Sequence, residues 1–491
     1  MRRINSTGFY KKCLNKYLQF IFKLLFISVF FNTTSLSAQN VWTLQKCLDY
    51  ALKNNISIKQ NQLTVATSNE KINQSYAAFL PNLNGNVGQS YDYGRYVNPF
   101  TNQFANTRAV SDNFSLSSSM TLFNGLQMQN TLKQSKLDYV SSEWDLKKIA
   151  NDISLNVVSD YLQVLFAMEN LTVANQQLDL IKKQQVNTQN LFDAGSIAKG
   201  NLLDIKAQVA SDELGVINAQ NGLDIAYLNL QQLLDLDSVK NFTIEKPILQ
   251  LPSDNITTLN SDQVFASAEK TLPEIKSADV KYQSALVGLS IARGGRSPRL
   301  SLSGSYGTGY SDQLQGISGF SYAAPPQIGV DGNGVPVYSV TPEIIPTYQT
   351  TSFKDQLNDN LNKTISINLS LPFFNNWSTK SNIVRAKISV ETAKYSSDLA
   401  RLTLKKSIEQ AYLDATAAYK KYNATLTSVE SLQEAFKYAQ QKFDVGLLNS
   451  YDYLAAKNNL TKAESDLIQA KYDYIFKAKI LDFYLGKSLT F

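Results

Sequence analysis

The chain has 491 residues, 43% of them hydrophobic, 18% charged and 11% aromatic, enough apolar content to order most of its length in two or three domains or one extended architecture. It contains no histidine and only two cysteines, Cys13 and Cys47. That excludes Ser-His and Cys-His nucleophiles, imidazole and thiolate metal sites and a disulfide framework, so the expectation is a protein that is not an enzyme and holds no cofactor.

Residues 1–38 carry Arg2, Arg3, Lys11, Lys12, Lys16 and Lys23 without an acid, then the apolar run Leu24 to Phe31, then Ser35-Leu36-Ser37-Ala38. This order reads as a secretory signal peptide, since the apolar run is far shorter than the roughly 20 residues of a spanning helix. Without those six basic residues, 41 basic and 41 acidic side chains remain. A neutral chain with no basic stripe gives no reason to expect nucleic acid as a partner. Export leaves Cys47 as either a buried small hydrophobe or a reactive thiol, and its helix-like surroundings, Leu44 to Asn54, favour the first.

Past the leader the chain is written twice. Leu122-Phe123-Asn124-Gly125 recurs as Phe373-Phe374-Asn375-Asn376, Asp160-Tyr161-Leu162 as Ala411-Tyr412-Leu413, and Phe192-Asp193-Ala194-Gly195 as Phe443-Asp444-Val445-Gly446. The common offset is about 251 positions, which divides the chain into repeats at 39–251 and 252–491. Leu80-Pro81-Asn82-Leu83 recurs as Ser297-Pro298-Arg299-Leu300 at a smaller offset, so the second repeat holds an insertion between Ser311 and Lys363. Its Pro325-Pro326 and Asp331-Gly332-Asn333-Gly334 predict a long surface loop.

Each repeat opens with a helix-like stretch, Thr43 to Phe79 or Asp262 to Ala292. The period then changes to two. Leu83, Val87, Tyr91 and Tyr93 alternate with polar residues, as do Phe114, Leu116, Met120 and Leu122; Leu300, Leu302, Tyr306 and Tyr310; and Ile365, Ile367, Leu369, Leu371 and Phe373. These are four strands of about ten residues, each apolar on one face. Leu126 to Ala194 and Trp377 to Val445 then run without glycine or proline, and each predicts one helix about 100 Å long. Ile149, Ile153, Val157, Tyr161, Val164, Met168 and Leu171 form one stripe along the first, and Leu155, Val158, Leu162 and Leu165 a second. Two stripes imply a neighbour on each side, as for a helix in a ring. Gly195 and Gly446 end these helices, and returning helices follow over Asn201 to Leu236 and Tyr451 to Leu485.

Exported strands of this length with one apolar face match the wall of a membrane barrel. Four cannot close one, and an open edge in lipid leaves unpaired N–H and C=O groups at several kcal/mol each. The barrel must therefore be shared, with two copies giving eight strands and three giving twelve. Phe79, Phe123, Phe373, Phe374 and Trp377 fall where strand meets helix, which suits either an interfacial belt or ordinary corner packing. Gly304, Gly307 and Gly309 lie within a strand rather than opening a helix, so they are barrel glycines and not a dinucleotide fingerprint. Two rivals stand beside the channel: an exported coiled-coil spacer or adaptor without a pore, and a hydrolase using Asp331 and Glu343 as paired carboxylates.

The doubled order of helix, two strands, long helix and returning helix resembles the TolC-like outer-membrane efflux proteins. So do the paired turns Phe192-Asp193-Ala194-Gly195 and Phe443-Asp444-Val445-Gly446, from Trp42-Thr43-Leu44 and Ala51-Leu52-Lys53-Asn54-Asn55 through to Tyr484-Leu485-Gly486. The resemblance implies a mainly helical α+β fold, internally duplicated, assembled as a homotrimer with a shared twelve-stranded barrel in outer-membrane lipid and a helical tube through the periplasm. It further implies a passive exit duct for a tripartite efflux pump or a type I secretion system. The implied partners are a periplasmic adaptor, or membrane fusion protein, and an inner-membrane RND or ABC transporter. In such proteins the turns between long and returning helices form the periplasmic tip that meets the adaptor. Here these are Asp193, Gly195 and Ser196 in one turn and Asp444, Gly446 and Leu447 in the other. Asp452 takes the place of an acid that narrows the lumen in such proteins, whereas Ala455 stands where a second is found. The corresponding places in the first repeat hold Asn201 and Asp204. Asp452 equally suits a solvated first-turn acid favourable to the helix dipole.

Overall fold

The structure, a computed structural model, describes residues 41–97, 102, 104–106, 108–236, 242–247, 260–487 and 489. The signal-peptide segment and the 251/252 repeat boundary lie outside the described residues.

The elements run in the order β1 (Val41–Trp42), α1 (Leu44–Asn54), α2 (Ile56–Ala77), β2 (Asn84–Asp92), β3 (Arg95–Val97), β4 (Phe104–Asn106), β5 (Ala109–Phe123), α3 (Gln127–Asp193), α4 (Lys199–Leu233) and β6 (Thr243–Ile244). Then come α5 (Ser261–Thr271), α6 (Pro273–Gly294), β7 (Arg299–Ser311), β8 (Gln315–Ala323), β9 (Gln327–Val330), β10 (Pro336–Tyr338), β11 (Glu343–Thr350), α7 (Phe353–Asp359), β12 (Asn362–Ser370), α8 (Ser378–Asp444) and α9 (Ser450–Tyr484). The fold is α+β and mainly helical.

Each opening stretch is two helices rather than one. Asn55 ends α1 and its side chain accepts from the amides of Ser57 and Ile58, capping α2. In the second half Pro273 breaks the helix and restarts it as the first residue of α6, where its missing N–H leaves nothing unpaired. The long helices α3 and α8 have 67 residues each, about 100 Å at 1.5 Å per residue. Both begin from a left-handed residue, Leu126 (φ 62°) and Trp377 (φ 66°). At the first of these corners Gly125 (φ 69°) crosses Gly294 so closely that a Cβ on Gly125 would lie 2.4 Å from the Gly294 carbonyl oxygen. Only glycine fits there.

Along α3 both predicted stripes are covered: Val157, Val158, Tyr161, Leu162, Val164 and Leu165 are buried, packed with α1, α4 and α9 in the largest core. At its centre the Tyr161 hydroxyl donates to the carbonyls of Glu245 (2.7 Å) and Trp42 (3.3 Å), tying helix α3 to the short parallel β1–β6 pair. Cys47 is fully buried in this core, the bland outcome of its two readings. On the other half, Arg401 of α8 donates from Nη2 to both oxygens of Asp279 (2.9 Å each) and from Nε to Glu269 (2.9 Å), fixing α5 and α6 to the long helix.

Strands β12, β7, β5 and β2 form, in that order, one antiparallel four-stranded sheet. Most of the insertion between β7 and β12 is not an irregular loop. β8 pairs with β11 and β9 with β10 as a continuous ribbon, and α7 closes it. Glycines and prolines that read as loop punctuation here mark the ribbon's bulge and turns.

Candidate functional site: a two-faced sheet and the helical tips

The register sorts the sheet's side chains into two faces, with Gln89, Asp112, Ser118, Thr308 and Lys363 as the polar residues on the mainly apolar one. Residues directly opposite one another share a face. One face carries Val87, Tyr91, Val110, Phe114, Leu116, Met120, Leu300, Leu302, Tyr306, Tyr310, Ile365, Ile367 and Leu369. The other carries Ser, Thr, Asn, Gly and Asp, with Ala109 and Arg299 at its ends, as in the rows Asn86/Ser115/Gly307 and Thr121/Ser301/Asn368. A bulge at Leu122 removes that residue from the predicted alternation and lets Phe123 oppose Leu300. Val87, Tyr91, Leu116, Tyr306, Ile365, Ile367 and Leu369 are exposed in the single chain, so most of the apolar face has no cover of its own; Phe353 of α7 packs only on Phe114 and Tyr310. The two outer strands, β2 and β12, are nine residues long and, among the described residues, each is bonded on one side only. Phe373, Phe374 and Trp377 stand exposed at the strand-to-helix corner, with Lys380 Nζ 3.9 Å from the Trp377 ring centre. Among the described residues no helix is long and apolar enough to cross a membrane.

At the opposite end of the helices lie the two turns. Asp193 ends α3 and accepts from Gln189 Nε2 (2.9 Å); Gly195 follows at φ 70°. The Ser196 amide bonds the Leu191 carbonyl and the Gly195 amide that of Phe192. Asp444, Gly446 (φ 76°) and Leu447 repeat the pattern, with Leu447 bonding Lys442 and Gly446 bonding Phe443. Both are Schellman caps, which need the left-handed residue that glycine supplies without strain. Asp193, Ser196, Asp444 and Leu447 are exposed. Asp452 is also exposed, in the first turn of α9. Its amide donates to Asn449 Oδ1 (2.8 Å) and its carboxylate accepts from Asn449 Nδ2 (2.9 Å), a reciprocal cap.

The structure links the two turns by joining Asn201 and Asp204, singled out in the sequence, to residues of α9 that sequence reading passed over. Buried Ser450 donates to Asp204 Oδ2 (2.8 Å) and lies 3.2 Å from Asn201 Oδ1, joining the starts of α9 and α4. Two turns further along, Lys457 pairs with Asp212 inside the helix crossing. Between them Tyr453 is fully buried, its ring stacked on Phe443 at 4.6 Å and beside Phe436 at 5.6 Å. Burial, with the Asp444 charge adding to it, pushes the Tyr453 phenol up to about 12, so it stays protonated, yet the hydroxyl has no hydrogen-bond partner among the described residues. Only spacing in α9 hinted at these positions: Ser450, Tyr453, Lys457 and Leu460 recur at three and four.

Among the described residues no group of three or more Cys, Asp or Glu side chains is placed to hold a metal ion. Asp331 accepts from the amides of Asn333 and Val335, the work of a turn residue.

Residues 47–235 and 265–487 match the sequence family described as Outer membrane efflux protein. The chain is 24% identical over 416 residues to Outer membrane protein TolC of Escherichia coli (strain K12), covering 83% of this chain and 74% of that one. It is 20% identical to Toxin and drug export protein A of Aggregatibacter actinomycetemcomitans over 88% of this chain and 83% of that one. Among solved structures, the Campylobacter jejuni CmeC outer membrane channel superposes with a TM-score of 0.71 at 18% identity over 90% of this chain and 85% of that one. VceC of Vibrio cholerae gives 0.69 at 15% identity over 91% and 96%. With 412 of its 491 residues inside the family match, the chain belongs to the outer membrane efflux proteins, channels of the outer membrane that extend into the periplasm.

Proposed function

We propose that three copies of this chain assemble around one lumen as the passive exit duct of a tripartite efflux pump or type I secretion system. The observation that carries this reading is the sheet, apolar on one face, polar on the other and open at both edges. In hydrocarbon each nine-residue edge would strand roughly four N–H and four C=O groups, a cost of tens of kcal/mol. Pairing β12 of one chain with β2 of the next removes both edges, and three chains give twelve strands with the apolar face to lipid and the serine-rich face to water. Exposed Leu214, Ile217, Ile225 and Leu228 on α4, and Leu402, Leu413 and Tyr438 on α8, supply helix faces for the same neighbours.

In this reading Asp193, Gly195, Ser196, Asp444, Gly446 and Leu447 meet a periplasmic adaptor, which joins the duct to an inner-membrane RND or ABC transporter. Energy comes from that transporter, since the sequence has no P-loop. The Ser450–Asp204 bond and the Lys457–Asp212 pair hold the helix pairs together near the tip, and gating is a repacking of α9 against α4 that breaks them. Asp452 narrows the lumen at the same level. The test is single-channel current of the purified protein in a planar bilayer. Stepwise conductance is expected, with weaker cation preference after Asp452→Asn; no current under any voltage or salt condition refutes the duct.

A further inference from the structure

The ribbon between β7 and β12 has two unlike sides. The opposed pairs Tyr322/Ile344, Phe320/Pro346 and Ile317/Tyr348 stand on one side, because a bulge at Ser318 restores the phase of the last pair. The other side presents Ser321/Ile345, Gly319/Thr347 and Gly316/Gln349. Tyr322, Ile344, Phe320, Ile317 and Tyr348 are all exposed, a larger apolar strip than a lone surface needs. From residue 315 to 350 the only charges are Asp331 and Glu343, so no cation is available there for lipid phosphate or nucleic acid.

Helix α7 shows on which side of β7 the ribbon is rooted. β12 pairs with β7 only as far as Gly307, which leaves the last residues of β7 without a strand on that side. α7 takes the strand's place. Gln356, fully buried, donates to the Ser311 carbonyl (2.9 Å) and accepts from the Ser311 amide (2.8 Å), while Asn360 Nδ2 donates to the Gly309 carbonyl (2.7 Å). β5 occupies the other edge of β7. The root of the ribbon is therefore pinned on the β12 side, where the assembly proposed above brings in the neighbouring chain's β2. Nine extended residues reach about 30 Å, and four tilted strands occupy only about 25 Å of a barrel rim, so the ribbon can span to that neighbour. Exposed Tyr91 lies at the end of the neighbour's β2, with exposed Tyr93 just beyond it and exposed Phe104 on β4.

We propose that the ribbon is an inter-subunit clasp: its Ile317–Phe320–Tyr322 side lies on the next copy of this chain, against Tyr91, Tyr93 and Phe104, locking three subunits at the extracellular mouth. The clasp rests on the trimeric reading above. The test places a photoreactive benzoyl-phenylalanine at Phe320 of the full chain, or at fully exposed Val340, and irradiates intact outer membranes. Adducts of two and three chain masses are expected from position 320, with the linked peptide mapping to residues 91–104, and none from 340. Native mass measurement of the same preparation separates the two ideas. A trimer that gives no chain-to-chain adduct at 320, or an adduct to lipopolysaccharide or another protein, overturns the clasp and leaves the duct standing; absence of a trimer overturns the assembly itself. As a second measurement, Phe320→Ser with Tyr348→Ser is expected to lower the temperature at which the trimer dissociates in detergent, and an unchanged temperature counts against the clasp.

Discussion

Asp212→Asn tests the helix crossing near the tip. The Lys457 side chain is 2% exposed and that of Asp212 13%, and among the described residues Asp212 is the only carboxylate within 4 Å of the ammonium. Gln208 Nε2 donates to the other Asp212 oxygen at 2.7 Å. Neutralising Asp212 keeps that bond and strands a buried positive charge, which costs about 3–5 kcal/mol. At 1.4 kcal/mol per power of ten, local opening of α4 from α9 should become roughly a hundred to a few thousand times more frequent. Hydrogen–deuterium exchange on the detergent-purified protein, read on peptides from 199–233 and 450–484, measures this directly. Adding Lys457→Met removes the stranded charge, and the double variant should recover most of the lost protection. The reasoning fails if Asp212→Asn alone leaves exchange within about threefold of the parent, under 1 kcal/mol, or if the double variant exchanges faster than the single.

Gly125→Ala should cost about 3 kcal/mol, from a left-handed backbone together with a clash against the Gly294 carbonyl, and should cut the yield of assembled protein in outer-membrane fractions. Gly195→Ala meets no atom within 4 Å and should cost only about 1–2 kcal/mol of backbone strain, leaving assembly intact by the same fractionation. Tyr453→Phe removes a buried hydroxyl that has no partner among the described residues, so it should leave thermal stability unchanged or raised by up to about 1 kcal/mol; a marked loss would show an unrecognised bond. Burial raises the Cys47 thiol to about 12, against an opposing effect of Lys46, so the reactive thiolate is scarce below that pH in the folded state. Maleimide should therefore label Cys47 at pH 7 to 9 only after denaturation, and rapid labelling of folded protein would contradict the burial.

Much of this was legible because two signals are long. A 67-residue helix without glycine or proline and strands alternating strictly over nine residues leave few other conformations, and Gly195 and Gly446 stop the helices where the Schellman caps need them. What escaped depends on contacts between distant segments. Gln356 and Asn360 read as ordinary loop residues until β7 overruns β12 and exposes a strand end to them. The ribbon looked irregular because Gly316, Gly319 and Pro346 interrupt an alternation that the bulge at Ser318 repairs. Ser450, Lys457 and Asp212 acquire meaning only where α9 crosses α4, roughly 245 positions apart in the chain.

The equal lengths of α3 and α8 make the molecule a pair of matched calipers. Adding seven residues to one would carry its turn about 10 Å past the other and put Ser450 beyond reach of Asp204. Growth or shrinkage of the reach is therefore tolerable only when both arms change together, by the same number of heptads. The span between the lipid end and the far turns is thus set twice in one chain, and each setting checks the other.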